Sequence, residues 1–304
     1  MAYKPTRPNQ LGISSLKNIE VRQLVNYIDW KFFFRTWRLL GDYSFLISNK
    51  LTKGQWLCRF DDLEQERANQ VFDLWNDAQS LLNELIAKKS LQVNATFGLF
   101  EAISDGENII VKSEGNVILP MFRQQHLDDA EYCLSLADFV AQEDDYIGLF
   151  AVVVHSEAIV ADEYKSLLKQ SLLDRLAEAT TEWLHEQIRK KYWGFAAKEV
   201  LTIEDMKQSR FQGIRPAVGY PSLPDQSLIF KIGEILPLQE TGIELTENGA
   251  MMPSSSICGM VFAHPNSRYF RIGRISKIQF KDYATRRGIS CKELERFVGL
   301  EIVE

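Results

Sequence analysis

Spacing, more than number, limits what the glycines, cysteines and histidines of this chain can do. No two of the 17 glycines stand two residues apart, and none is followed five residues later by Gly-Lys. Neither G-x-G-x-x-G nor the P-loop can be written on it, which removes the usual dinucleotide fold and the usual Rossmann methyltransferase. The four cysteines, Cys58, Cys133, Cys258 and Cys291, form no C-x-x-C pair to hold zinc or exchange a disulfide. They read as cytosolic thiols. The four histidines, His126, His155, His185 and His264, are too far apart for an H-x-x-x-H metal helix, and His185-Glu186 is a mere fragment of that motif. No metal site is expected. Without G-x-S-x-G there is no nucleophile elbow of the α/β-hydrolase kind. The start, MAYKPTRPNQLG, has no apolar h-region, and no run of about 18 apolar residues follows anywhere. A soluble, cytoplasmic protein without a membrane partner is the expectation. Lys plus Arg number 35 against 41 Asp plus Glu, a net charge of −6 with no dominant basic tract, so nucleic acid is not expected as a partner either.

What is present is material for a core: 304 residues, 45% hydrophobic and 11% aromatic. Residues 1–20 are polar with Pro5 and Pro8 and read as an arm; residues 21–304 read as one domain. Asn26 to Leu40, NYIDWKFFFRTWRLL, reads as a buried aromatic segment whose acid, Asp29, needs a partner. From Glu66 to Lys89 the set Val71, Leu74, Ala78, Leu81, Leu82, Leu85 recurs at 3 and 4, the period of an amphipathic helix. Thr96–Ile103 and Asn108–Lys112 are β-rich about the hairpin signal Asp105-Gly106, Asn116–Leu119 could add a third strand, and Tyr146–Val154 suggests a central one. Asp162–Lys191 restores the helical period through Leu168, Leu172, Leu176, Ala179 and Trp183. Thr202 with Asp205 resembles a capping box, and Ser290 with Glu293 a cleaner one. A helix is expected from about Asp225 to Ile235 and alternating strands from Gly242 to Ile275, turning at Asn266-Ser267. The mixture lacks a βαβ rhythm and points to α+β, an antiparallel sheet with helices at one side or at its ends.

The segment Gln212 to Pro224, QGIRPAVGYPSLP, packs three prolines and two glycines around one arginine. Such a loop fixes its backbone and leaves a guanidinium able to grip a carboxylate or phosphate with two bonds. It closely resembles the S-adenosylmethionine-binding loop in the activation domain of cobalamin-dependent methionine synthase. Seven further segments resemble that family in order: IDWKFFFRTW (28–37), LADFV (136–140), DYIGLFAV (145–152), DRLAEA (174–179), LHEQIRKKYWG (184–194), HPNSRYF (264–270) and RRG (286–288). The resemblance implies a single curved α+β domain around a twisted antiparallel sheet. It also implies a role in rescuing cobalamin oxidised to the cob(II) form. In that role the domain caps the corrin, receives an electron from flavodoxin or a similar reductase, and supplies a methyl group from S-adenosylmethionine. Nothing in these residues resembles the D-x-H-x-x-G cobalamin motif or the cysteine ligands of the homocysteine-activating zinc. The cobalamin is therefore expected on a partner methionine synthase chain, served in trans. The alternative is a module that binds S-adenosylmethionine or scaffolds a corrinoid protein without methyl transfer.

By the same resemblance Arg215 pairs with the methionyl carboxylate, and Ala217 and Gly219 offer backbone groups; a turn needing positive φ is the plainer account of Gly219. Asp29 matches an acid at the ligand, against the alternative of a helix cap. Tyr269 and Phe270 match a Tyr-Tyr pair; at Phe270 a hydroxyl is lost and core packing is favoured. Glu178 matches an acid near the sulfonium, against a solvated helix glutamate. Tyr220 would point toward the corrin. Ser209 stands where members of the family often have Glu, so one carboxylate that could balance the sulfonium is missing. Finally, nine Lys/Arg between Asn266 and Leu300, against Asp282, Glu293 and Glu295, suggest a basic dock for an acidic partner, with Arg286 and Arg287 among its charges.

Overall fold

The computed structural model describes residues 3–127, 132–158 and 162–303. Its main elements in chain order are β1 (Gly12–Leu16), α1 (Trp30–Thr36), α2 (Gln65–Ala87), β2 (Leu91–Asp105), β3 (Asn108–Lys112), β4 (Asn116–Pro120), β5 (Asp145–Ser156), α3 (Glu163–Gln187), α4 (Leu228–Gly233), β6 (Ser256–Val261) and α5 (Lys277–Arg287). They fall into two compact units. Met1–Lys17, Asn94–Val153 and Thr181–Glu304 make the first, Asn18–Val93 and Val154–Thr180 the second.

The first unit is built on a six-stranded sheet in the order β4-β3-β2-β5-β6, with β1 added on β2. The two-residue turn after Asp105 sets Asp105 opposite Asn108 with Gly106 at φ 61°, so β2 and β3 pair antiparallel as that dipeptide predicts. β5 and β6 are antiparallel too, Gly148 opposite Val261 and Val153 opposite Ser256. Ile147 and Leu149 to Val154 are buried to the last residue. A strand covered on both faces has no polar alternation to show. Leu149, Ala151 and Val153 meet Ile229 and Ile232 of α4 and Met260 of β6 in one apolar cluster. This is the expected antiparallel α+β architecture with flanking helices.

Two expectations for this unit need correction. The helix foreseen from Asp225 begins at Leu228, because the Asp225 carboxylate takes the Ser227 N–H (2.8 Å) and hydroxyl (2.6 Å) and holds those residues in a turn. Of the alternation from Gly242 to Ile275, β6 is the long strand; Glu244–Leu245 and Met251–Met252 pair briefly, Ile275–Ser276 pairs parallel with Ile302–Val303, and the rest is irregular. Pro253 and Pro265 have no N–H to give a ladder. Both foreseen caps form, but the reciprocal box is at Thr202–Asp205, while at Ser290 the serine half is made.

In the second unit all six apolar positions read from the helical period of α2 are buried. Trp75 of α2 meets Trp30 of α1 edge-on at 4.8 Å. The aromatic segment around α1 is amphipathic rather than buried throughout: Trp30, Phe33 and Phe34 point inward, while Phe32 is 44% exposed under the Arg175 guanidinium, 4.3 Å from its ring. α3 closes in a π-turn, Ile188–Tyr192, within the span expected to be plain helix. On α3 Leu184 is buried where Trp183 was expected. In the first unit the arm is tied down: the Trp193 indole donates to the Thr6 carbonyl (2.7 Å) and the Asn9 amide to the Lys191 carbonyl (2.9 Å).

The basic C-terminal stretch is partly internal. Arg287 is 5% exposed and pairs with fully buried Asp225 (3.1 Å), which also accepts from the Tyr283 hydroxyl (2.9 Å). Arg286 is spent on Asp282 (2.8 Å) and on the Asn108 side chain (3.0 Å). A sign count cannot tell a dock from a buried pair, and neither arginine is a free surface charge. Arg287→Ala should therefore strand the Asp225 charge and cost about 3–5 kcal/mol in denaturant unfolding. Asp73→Asn, which breaks the exposed pair with Lys53, should cost less than about 1 kcal/mol. Equal effects would contradict this reading of Asp225.

Candidate functional site

The proline-rich loop lies against the last strand of the sheet, β6, and copies part of its ladder. Ile214 N–H donates to the Phe262 carbonyl (3.1 Å) and Phe262 N–H returns to Ile214 (2.9 Å). Met260 N–H donates to Pro216 O (3.0 Å) and Val218 N–H to Cys258 O (2.9 Å). The approach is possible because position 259 is glycine: a Cβ there would stand 2.3 Å from Pro216 O and 2.9 Å from Ala217 Cα. After Ala217 the chain reverses through Gly219 at φ 85°, where Gly219 N–H reaches Leu223 O (2.8 Å) and Leu223 N–H reaches Tyr220 O (2.8 Å). The left-handed conformation explains the glycine. Tyr220 stands at the tip, 51% exposed.

Arg215 sits between buried Ile214 and buried Pro216, so its backbone is fixed on both sides. Its N–H donates to the Tyr269 hydroxyl at 3.0 Å. Its guanidinium turns toward α3, where Nη2 pairs with Oε2 of Glu182. The pair is half-made. Nε of Arg215 and Oε1 of Glu182 are both buried, and neither has a hydrogen-bond partner.

Three and seven residues beyond Glu182, α3 presents His185 and, in its π-turn, Arg189. Arg189 is fully buried, bonded through Nε (3.0 Å) and Nη2 (2.8 Å) to Glu199 and lying 4.2 Å over the Phe211 ring. The same ring meets His185 edge-on at 5.1 Å. Burial, with the Arg189 charge second, holds the His185 imidazole well below its ordinary pKa, so it is neutral. Both its ring nitrogens lack partners, as does Nη1 of Arg189.

The fold thus brings together Arg215, Ala217, Gly219, Tyr220 and Tyr269. Phe270 faces the interior, 6.2 Å from the Phe139 ring and packed against the apolar clusters. Asp29 and Glu178 belong to the second unit. Asp29 is exposed and caps α1, accepting the Phe32 N–H at 3.0 Å, while Glu178 is partly buried on α3. Ser209 is exposed at φ 52°, just past the short helix Ile203–Lys207. Sequence reasoning gave Glu182, Arg189 and Phe211 no role and took His185 for a motif fragment. The available signal was the i, i+3, i+7 spacing of Glu182, His185 and Arg189.

Residues 20–288 match the family described as vitamin B12 dependent methionine synthase, activation domain. The chain belongs to this family. Among solved structures it is similar to a crystal structure of the MetH reactivation domain bound to AdoHcy, with 35% sequence identity and a TM-score of 0.86. The similarity covers 99% of this chain and 94% of that one. In this activation domain the loop offers a guanidinium, backbone groups and an aromatic tip, a surface suited to an anionic group. No helix among the described residues is long and apolar enough to cross a membrane.

Two outcomes follow from this geometry. Gly259→Ala should cost about 1–3 kcal/mol through overpacking against Pro216. Gly54→Ala, on a helix with open space around it, should be neutral or mildly stabilising. Equal melting shifts would contradict the close approach. Secondly, a depressed His185 pKa means the unfolded chain binds a proton below pH 6.5 that the native protein refuses. Stability from this source is complete above about pH 6.5 and declines below it, by up to about 1.4 kcal/mol per pH unit. His185→Leu should flatten that limb of the stability curve; an unchanged slope would assign it elsewhere.

Proposed function

We propose that this activation domain binds S-adenosylmethionine on the Gln212–Pro224 loop and serves a cobalamin-carrying methionine synthase chain in trans, supporting reductive methylation of cob(II)alamin. The observation that carries the reading is the Arg215 guanidinium: a backbone pinned by Tyr269 and by β6, and a buried Nε donor with no partner among the described residues. A ligand carboxylate supplies the missing acceptor, and a forked guanidinium is the group that holds one in a fixed direction. Ala217 and Gly219 bring backbone groups to the same ligand, and Phe270 supports it by packing and through its backbone. The AdoHcy in the related structure carries the same amino-acid end as S-adenosylmethionine.

By the family resemblance alone, Asp29 is proposed as an acid that contacts the ligand and Glu178 as one near its sulfonium. Tyr220, exposed at the loop tip, would face the corrin of the partner chain. Bound S-adenosylmethionine supplies the methyl group together with its own leaving group, so the chain needs to align rather than to move a proton. Flavodoxin or a similar reductase is the proposed electron donor.

Arg215→Ala should weaken S-adenosylmethionine binding in calorimetry by roughly 1.5–3 kcal/mol, with Arg215→Lys recovering part of it. A dissociation constant unchanged in both variants would remove the loop from the site. A cobalamin-carrying chain without its own activation domain should regain turnover after oxidation with this protein, S-adenosylmethionine and reduced flavodoxin together. Recovery with reductant alone would leave this protein a binding scaffold.

A further inference from the structure

We propose that Glu182 is an internal stand-in for the ligand's carboxylate, and that His185 receives it when the ligand takes its place on Arg215. The inference rests on Arg215 being the carboxylate site, and it adds two residues to that site. Among the described residues, the buried side-chain nitrogen and oxygen atoms without partners include Glu182 Oε1, both nitrogens of His185, Nη1 of Arg189 and Nε of Arg215. Glu182, His185 and Arg189 recur at i, i+3 and i+7, the spacing of one helix face, and Arg215 pairs with the first of them. Buried polar groups are otherwise nearly always paired, so such a concentration marks an arrangement completed by something else.

Both carboxylate oxygens of Glu182 cannot be satisfied where it lies: Oε2 meets Arg215 Nη2 while Oε1 is buried without a donor. Arg189 is held more fully, its Nε (3.0 Å) and Nη2 (2.8 Å) both donating to Oε2 of Glu199, whereas Arg215 gives Glu182 one bond. Glu182 is therefore held strongly enough to neutralise Arg215 in the free protein and weakly enough to be exchanged. Exchange needs a receiver, because a carboxylate left buried and unpaired is strongly unfavourable. His185 lies three residues along, a helical neighbour on the same face. It is 1% exposed, and as a neutral imidazole it carries one N–H that nothing among the described residues accepts. The ligand's carboxylate takes the Arg215 edge; Glu182 turns down and accepts the His185 N–H. Two orphaned groups become one hydrogen bond, and the orphaned Nε gains an acceptor.

Three variants of the whole chain test this with S-adenosylmethionine and AdoHcy as titrants. Glu182→Gln keeps an oxygen for Arg215 but not the charge, so it should lower thermal stability and yet tighten binding about threefold to tenfold, since charged partners bond about twice as strongly as neutral ones. A structural residue would move both the same way. His185→Leu removes two unpartnered nitrogens and should leave the fold as stable or more so above pH 7, yet weaken binding about threefold to tenfold by denying Glu182 its receiver. Added to Glu182→Gln, His185→Leu should weaken binding much less, because no charge then has to move. If the parent binds and Glu182→Gln binds no tighter, or His185→Leu weakens both backgrounds equally, the exchange is overturned while the ligand site stands. If neither ligand binds parent or variants, the carboxylate site itself is wrong and the exchange falls with it.

Discussion

The contact on which the site depends is backbone against backbone: the loop from Ile214 to Val218 lies along β6 and closes four hydrogen bonds with residues 258 to 262. It supplies what a surface loop otherwise lacks, a rigid edge. Once residues 214 and 216 are buried against the sheet, residue 215 is held between them, and Tyr269 holds its N–H from outside. Arg215 therefore points where the sheet directs it. Gly259 sets how close that edge can come, and Gly219 turns the chain back before Tyr220.

Charge is distributed unevenly around this frame. Arg287 with Asp225, and Arg189 with Glu199, are buried pairs whose members find further partners in Tyr283, Ser227 or the Phe211 ring. These pairs fix the geometry of the first unit, since loss of either member strands its partner. Arg215 with Glu182 is less enclosed and is joined by one bond, with Nε of Arg215 and Oε1 of Glu182 left over. The neutral His185 is consistent with a layer arranged for hydrogen bonding rather than for added charge.

Local features were legible in the sequence and distant ones were not. The 3–4 period of α2, the Asp105-Gly106 hairpin and the buried run of β5 each depend on residues within one element, so pattern alone located them. The loop's prolines and glycines marked a fixed backbone around its single arginine, and the structure shows that backbone held on β6. That it lies on β6 joins residues 214–218 to 258–262, and nothing in either stretch names the other. Glu182 was invisible for the same reason, since a helix glutamate reads as solvated until its partner arrives from another element. Arg286 and Arg287 misled in the opposite sense: counted as surface charge, they are committed to carboxylates and carbonyls elsewhere. Asp29 is observed as a helix cap, the plainer of its two readings.

The most direct measurement of the central claim is the Arg215 Nε–H resonance in 15N-labelled protein, followed as S-adenosylmethionine is added and, separately, its decarboxylated analogue. Binding of the ligand's carboxylate at Arg215 predicts a downfield shift and slowed solvent exchange with S-adenosylmethionine, and no such change with the analogue at equal occupancy. The same response to both ligands, or to neither while S-adenosylmethionine is bound, would contradict the assignment of Arg215 as the carboxylate-binding residue.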